Sequence, residues 1–138
     1  MSRHGFTDDC DNLAAGLWAG RVASAIRGKR GQAFLRELRD AMDAMPEKRL
    51  ISEQLVTADG ECCALGCVAK ARGLDVSMVD PEESEIVANL FGIAECLARE
   101  VVYQNDEAWS RGEMTPEKRW SIVRRWVDEN IKADPQPA

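Results

Sequence analysis

Cysteine is the residue type in this chain best suited to metal binding or covalent chemistry, and three cysteines are clustered at Cys62, Cys63 and Cys67. Cys63 and Cys67 are four residues apart, so in a helix both side chains would lie on one face. A structural zinc site needs four Cys or His ligands, usually as two spaced pairs. The remaining candidates are isolated in the sequence, at Cys10, Cys96 and His4. The spacing therefore predicts no metal site, and the apolar residues around the three thiols predict that they are packed in the core.

The sequence lacks the residues that catalysis usually requires. His4 is the single histidine, whereas a Cys or Ser nucleophile needs a base within hydrogen-bond reach. The glycines of segment 27–31 do not have the spacing of a phosphate-binding loop, and no strand precedes them. We therefore predict a protein that is not an enzyme and needs no cofactor. An enzyme whose site the sequence does not reveal is the weakest of three options.

Residues 87–101 resemble a helix-turn-helix motif. Ala88 is a small residue four positions before Gly92, and apolar residues follow the turn at Ile93, Ala98 and Val101. A DNA-reading helix needs Arg, Lys, Asn or Gln near its start and basic flanks for the phosphates, whereas this second helix carries Glu95 and Glu100. We interpret the motif as a corner between two packed helices. The alternative function is a DNA-binding regulator that uses residues 86–104, with basic help from Arg27, Lys29 and Arg30.

The charges of the chain are divided between two segments. The net charge is −6, but residues 21–49 contain eight Lys or Arg against four Asp or Glu, and residues 53–113 contain four against thirteen. The acidic middle segment would repel nucleic acid and anionic lipid and attract a basic partner surface. For any single run of charges, the plainer interpretation is a solvated surface that keeps the protein soluble.

The acidic segment supplies the predicted binding site. We expect its carboxylates to form one exposed patch that contacts a basic surface of a partner protein or nucleoprotein complex. Trp109 lies in a polar stretch and is the tryptophan expected to be exposed, and an exposed tryptophan often anchors an interface. The predicted partner-binding residues are Glu82, Glu83, Glu85, Glu95, Glu100, Asp106, Glu107 and Trp109.

These residues must be positioned by helices. Apolar residues recur every three or four positions in several segments, including Leu17 to Ile26 and Trp120 to Ile131, so the fold class is mainly α, a bundle of about five to six helices. Asp80-Pro81 predicts a helix start, with Ile86, Val87 and Leu90 facing inward. Thr115-Pro116 predicts the start of the last helix. Turn residues between two apolar runs predict a short β-hairpin near residues 49–62.

With 138 residues, the chain has the size of one domain. We expect a helical domain over residues 12–132, a flexible N-terminal arm over 1–11 and a flexible, proline-broken tail over 133–138. No apolar run is long enough to span a membrane, and the five cysteines are typical of reduced thiols. The predicted compartment is the cytoplasm, and the sequence leaves the oligomeric state open.

Three segments of the chain resemble proteins encoded by bacteriophages and prophages. Residues 30–38, the Cys63-Ala64-Leu65-Gly66 segment and the Tyr103-Gln104-Asn105-Asp106 segment resemble small uncharacterised proteins of bacteriophages and prophages, over residues 27–131. Such proteins often act on host machinery, and they include counter-defence proteins such as anti-CRISPRs that occlude basic nucleic-acid channels. The resemblance implies a host partner located in the bacterial cytoplasm, and it assigns no role to any residue.

Overall fold

The computed structural model describes residues 12–107 and 113–132. Six helices lie within these ranges, which confirms the predicted mainly α fold of five to six helices. They are α1 (Asn12–Arg27), α2 (Lys29–Asp43), α3 (Ala64–Arg72), α4 (Ser84–Phe91), α5 (Glu95–Asp106) and α6 (Pro116–Asn130). The predicted arm and tail lie outside the described residues. Each described helix is too short or too polar to span a membrane.

The core is organised around α5, which contacts α1, α3, α4 and α6. Leu97, Ala98 and Val101 follow the helical spacing of three and four, and all three are fully buried. The same spacing places Phe34, Leu35, Leu38 and Met42 of α2 in the core. Because α5 is covered from several sides, its few polar side chains that face inward must find partners inside the protein.

The ends of several helices follow from local chemistry. The Thr115 hydroxyl accepts a hydrogen bond from the Lys118 backbone N–H at 3.1 Å, and Pro116 occupies the first turn of α6. The predicted start of the last helix is therefore confirmed. Gly73 ends α3 and Gly92 ends α4, each with a φ near +70° that glycine adopts without strain.

The start of α4 was predicted too early. The Asp80 side chain accepts a hydrogen bond from the Glu82 backbone N–H at 2.9 Å, so Asp80 closes a turn instead of capping the helix. The helix begins at Ser84, and its buried face consists of Ser84, Val87, Ala88 and Phe91. Ile86, expected to face inward, is off this face and 51% exposed.

Leu17 of α1 was also expected to face inward, and it is 60% exposed. Val22 and Ile26 are the buried residues of this helix, and Trp18, four positions before Val22, packs against the same core. Leu17 is one position before Trp18, which rotates its side chain by about 100° away from the buried stripe. The apolar spacing of α1 therefore identified the helix correctly but included one residue that lies outside its core face.

The hairpin expected near residues 49–62 is reduced to a single antiparallel bridge between Val56 and Cys62, and the described residues contain no strand. Ile51 N–H donates to Cys62 O, and Cys63 N–H donates to Leu55 O, both at 3.0 Å. Ile51 and Leu55 are four residues apart, but their partners, Cys62 and Cys63, are adjacent. The chain between Ile51 and Leu55 must therefore bend. Glu53, at the bend, has a φ of +70° that interrupts an extended strand.

Helix α3 lies against this segment at Gly66. A Cβ atom at Gly66 would lie 1.8 Å from the Leu55 carbonyl oxygen and 2.6 Å from its carbonyl carbon. Backbone atoms cannot move aside as a flexible side chain can, so only glycine permits this approach. The close approach of α3 to the chain at Leu55 is therefore determined by the absence of a side chain at one position.

We expect Gly66→Ala to lower the free energy of unfolding by about 3 kcal/mol, because the added methyl group overlaps the Leu55 backbone. Gly20→Ala is the matched control, since a Cβ atom at Gly20 in α1 would meet nothing within 4 Å. The control should be stabilised by about 0.5–1 kcal/mol through its higher helix propensity. Urea denaturation followed by circular dichroism measures both changes, and equal effects at the two sites would contradict the packing described here.

Candidate functional site

Three of the predicted binding residues come together on one concave surface. Glu82, Asp106 and Glu107 line a cleft of about 130 Å³, and a fourth acidic residue, Glu53, lines it with them. Arg99 and Tyr103 of α5 also line this surface, which we call the acidic cleft. Four acidic residues and one basic residue therefore line one surface, so the acidic character predicted for the middle segment is concentrated at this place.

Separate parts of the chain supply the four carboxylates. Glu53 belongs to the segment between α2 and α3, and Glu82 to the turn that precedes α4. Asp106 is the last residue of α5. Glu107 follows it, with its backbone N–H donating to Tyr103 O at 2.8 Å. The cleft exists only because tertiary packing brings the α2–α3 connection and the start of α4 next to the end of α5.

The buried Asn105 side chain makes this arrangement. Its Oδ1 accepts a hydrogen bond from Ala64 N–H at 3.0 Å, which satisfies a free amide at the start of α3. Its Nδ2 donates to Ile51 O at 2.9 Å and to Asp106 Oδ1 at 2.6 Å. Arg119 of α6 donates to Asn105 O. One residue thus joins α3, α5, α6 and the segment that carries Glu53.

Asp106 is the carboxylate most affected by its surroundings. Burial raises the pKa of Asp106 above its usual range, and the charge of Glu53 acts in the same direction. Hydrogen bonds from the Asn105 side chain and the Glu53 backbone N–H, together with the positive charge of Arg119, oppose the rise only in part. Asp106 is therefore a partly desolvated acid at the edge of the cleft, and a cation bound there would favour its charged form.

Glu95 and Glu100 do not contribute free charge to the acidic cleft. Glu95 accepts hydrogen bonds from Arg99 at 3.1 Å and from the Ser84 hydroxyl at 2.8 Å, so its charge is balanced locally. Glu100 is only 1% exposed and accepts a hydrogen bond from Gln104 at 2.9 Å. The expectation that Glu100 lies on an exposed patch is wrong, because its position on α5 faces the core.

The other predicted residues lie elsewhere. Glu83 and Glu85 are exposed at the start of α4, where the helix dipole stabilises a carboxylate. Neither residue lines the acidic cleft. Trp109 lies outside the described residues. Glu53 is not among the predicted binding residues, because it falls within the hairpin expected near residues 49–62. The signal that could have identified it is its position as the first acidic residue of the acidic segment.

The helix pair expected over residues 86–104 is present as α4 and α5, which meet at the left-handed Gly92. In a DNA-binding motif the second helix must leave one side free for the major groove. Here α5 contacts four other helices, and the Cys96 thiol at its start donates toward Arg21 O of α1 at 3.6 Å. The observed packing favours the interpretation of this motif as a corner between packed helices.

The clustered cysteines have separate structural environments. The Cys63 sulfur accepts a hydrogen bond from Gly66 N–H at 3.4 Å and caps α3, while Cys62 and Cys67 are buried next to each other. Across residues 12–107 and 113–132, no three His, Cys, Asp or Glu side chains are arranged to hold a metal ion. Cys10 and His4, which the sequence offered as further ligands, lie outside those ranges.

Comparison with known proteins adds no relative to this picture: no family model matches the chain, and neither a curated protein nor a solved structure matches it.

We expect Asn105→Ala to lower the free energy of unfolding by about 3 kcal/mol, because it leaves the Ala64 N–H and the Ile51 carbonyl without their buried partner. Asn89→Ala is the matched control, since Asn89 is exposed on α4. The control should be neutral or slightly stabilised by the helix propensity of alanine. Urea denaturation measures both effects. A change at Asn105 as small as that at Asn89 would contradict the role described for this side chain.

We expect Asp106→Asn to raise the melting temperature at pH 7, because it removes a partly buried charge and keeps the acceptor oxygen. A raised pKa means that the folded state binds the proton more tightly, so wild-type stability gains as the pH falls through that pKa. The advantage of the variant should therefore shrink towards zero in acid.

Asp43→Asn provides a control of opposite sign. The hydrogen bond from Arg124 holds the pKa of Asp43 below its usual range, so this variant should be less stable than wild type at pH 7. Its deficit should also vanish in acid, as the Asp43 carboxyl of the wild type becomes protonated. Thermal unfolding between pH 3 and pH 8 measures both differences. Differences of the same sign for the two variants would contradict the environments assigned to these acids.

Proposed function

We propose that this chain is a non-enzymatic binding protein that engages a basic surface of another protein or nucleoprotein complex through the acidic cleft. The observation that carries the proposal is the convergence of Glu53, Glu82, Asp106 and Glu107 on one concave surface. Carboxylates scattered around a protein would only maintain solubility. Carboxylates collected from separate segments around one cleft create a local field that attracts Lys and Arg side chains.

The cleft suits one inserted basic side chain surrounded by further charge pairs. Its volume of about 130 Å³ leaves room for the end of a long side chain, and carboxylates can bind the planar guanidinium group of Arg. Tyr103 adds an aromatic ring to the wall of the cleft, and Arg stacks on such rings. An arginine on the partner is therefore the expected central contact.

Charge would contribute more to the rate of association than to the affinity. Exposed ion pairs are each worth roughly 0.2–1 kcal/mol, so several must act together for a specific complex. Asp106 is the exception, because it is already partly buried and the complex would remove little further water from it. The association rate should fall as salt is added, since screening weakens the field of exposed charges.

The resemblance to phage and prophage proteins suggests the class of partner. Host proteins that handle nucleic acid present grooves lined by Lys and Arg, and carboxylates can occupy such a groove in place of phosphates. We therefore propose host nucleic-acid machinery as the partner, including a defence complex that the chain would inhibit in the manner of an anti-CRISPR. The proposal needs no cofactor and no contact with a membrane.

The test compares two variants with the same change in charge. In the cleft variant, Glu53, Glu82 and Glu107 are replaced by Gln. In the control variant, the same replacement is made at Glu47, Glu117 and Glu129, which are exposed outside the acidic cleft. The full-length chain serves as bait in a bacterial lysate, captured proteins are identified by mass spectrometry, and their affinity for each variant is then measured at several salt concentrations.

We expect the cleft variant to bind the captured partner about tenfold more weakly or worse, with a smaller dependence on salt, because three attractive charges are lost. The control variant should stay within about twofold of wild type. Asp106 is left unchanged so that stability is not altered at the same time. Equal losses in both variants would show that net charge, and not the cleft, governs binding, and would overturn the proposal.

A further inference from the structure

A second pocket lies beside the α2–α3 connection, and its wall includes a cysteine. The pocket has a volume of about 350 Å³ and is lined by residues 45–47, 49, 51, 59–62 and 70, among them Arg49, Cys62 and Lys70. It shares no lining residue with the acidic cleft. Cys62 is only 3% exposed, so the pocket offers its thiol to a small solute rather than to a protein.

The thiol of Cys62 has a second thiol as its immediate neighbour. Cys67, in α3, interacts with Cys62 through a side-chain hydrogen bond, and both cysteines are free thiols. Gly66, which directly precedes Cys67, brings α3 close to Cys62: a Cβ atom at Gly66 would lie 3.0 Å from the Cβ of Cys62. The bridge between Val56 and Cys62 holds the other side of the pair. Two thiols are thus fixed side by side where one of them meets a pocket.

The charges around the pair favour a thiolate at Cys62. Lys70 is held near this position by donating to Gly60 O at 2.7 Å. The hydrogen bond from Cys67 and the positive charge of Lys70 lower the pKa of Cys62, although burial and Glu61 oppose the change. Glu47 and Asp59 are the other acids that line the pocket, and Arg49, which pairs with Glu61 at 3.3 Å, balances part of this negative charge.

The two neighbouring thiols are held in the protonated form. Burial raises the pKa of Cys63 to about 12, and its sulfur is engaged as the cap of α3. The hydrogen bond to Cys62 and burial both raise the pKa of Cys67. Since the thiolate is the nucleophilic form of cysteine, the three adjacent cysteines are chemically different. Cys62 is suited to attack, Cys67 to follow it, and Cys63 to a structural role.

We propose that Cys62 is a peroxide-reactive cysteine and that Cys67 is its resolving thiol, so that oxidation through the pocket converts the pair into an intramolecular disulfide. In the first step the Cys62 thiolate attacks one oxygen of hydrogen peroxide. The O–O bond breaks, an S–O bond forms, and hydroxide leaves and takes a proton from solvent. Sulfur is oxidised to the sulfenic acid and peroxide is reduced to water.

In the second step the Cys67 thiol loses its proton and its sulfur attacks the sulfur of the Cys62 sulfenic acid. The S–O bond breaks, the S–S bond forms, and the hydroxyl leaves as water with the proton of Cys67. The disulfide joins the residue at the bridge with Val56 to the first half of α3. A disulfide of this kind in a reducing compartment is formed transiently, as a response to an oxidant.

The first experiment uses the unaltered full-length chain. The reduced protein is treated with hydrogen peroxide at pH 7, remaining thiols are blocked with iodoacetamide, and peptides are mapped by tandem mass spectrometry. We expect a Cys62–Cys67 cross-link in which Cys63 carries the blocking group, formed at least tenfold faster than any oxidation of Cys63. First reaction at Cys10 or Cys96, or equal rates at Cys62 and Cys63, would overturn the proposal.

Variants separate the two steps. Cys67→Ser should stop the cross-link and let the Cys62 sulfenic acid accumulate, where dimedone labels it, whereas Cys62→Ser should abolish the fast reaction with peroxide. Cys63→Ser is the matched control, because a serine oxygen can also cap α3, and it should form the cross-link at the wild-type rate. Dimedone labelling of Cys67→Ser at a position other than Cys62 would overturn the assignment of the attacking thiol.

The role of Lys70 is tested by charge. Lys70→Gln should slow the reaction of Cys62 with peroxide severalfold, and Lys70→Arg should restore most of the rate, because it restores the positive charge. A merely structural role of this side chain would instead change the melting temperature and leave the peroxide rate unaltered. An unaltered rate in Lys70→Gln would show that Lys70 does not activate Cys62 and would contradict this part of the proposal.

Discussion

The arrangement of α3, α5 and the α2–α3 connection depends on the buried side-chain amide of Asn105. Asn105 lies at the point where α3 begins, where α5 ends and where the α2–α3 connection crosses them, and its side chain bonds to backbone groups of two of these segments. A buried amide without partners would cost several kcal/mol, whereas one with its partners in place defines a single arrangement. Asp106 is the next residue, and its carboxylate is held in place by a hydrogen bond from the same Asn105 amide. The acidic cleft is thus a consequence of how the protein satisfies one polar side chain in its core.

The connection between α2 and α3 carries both proposed sites although it contains no strand. Its residue Glu53 lines the acidic cleft, and its residues Ile51 and Cys62 line the pocket with the thiol. Isolated backbone hydrogen bonds hold this connection without forming a strand. Asn105 and the approach of Gly66 to Leu55 fix its position in the fold. A change at either position should therefore affect both surfaces, even though they share no residue.

Opposite charges elsewhere in the protein are used to join helices. Arg72 of α3 pairs with Glu37 of α2 at 2.6 Å and also bonds to Phe91 O at the end of α4. Arg124 of α6 pairs with Asp43 of α2 at 2.9 Å. These acids belong to the segment with excess basic residues, and their charges are balanced within the fold. The charge balance of a segment is therefore an incomplete guide to the charge it presents to a partner.

The helical class, most helix ends and the excess of acid in the middle segment could be predicted from the sequence, because they depend on apolar spacing, on caps such as Thr115 and on composition, all of which are local. The start of α4 could not, since the choice of Asp80 between a turn and a cap depends on the surrounding packing. The sequence also could not show that Glu82 is exposed and Glu100 is buried, because the exposure of a carboxylate depends on which helices cover it. Nor could it place Glu53 beside Asp106 or distinguish Cys62 from Cys63. Those relations join residues far apart in the chain or depend on burial, and only the tertiary structure decides which side chains meet and which lose contact with water.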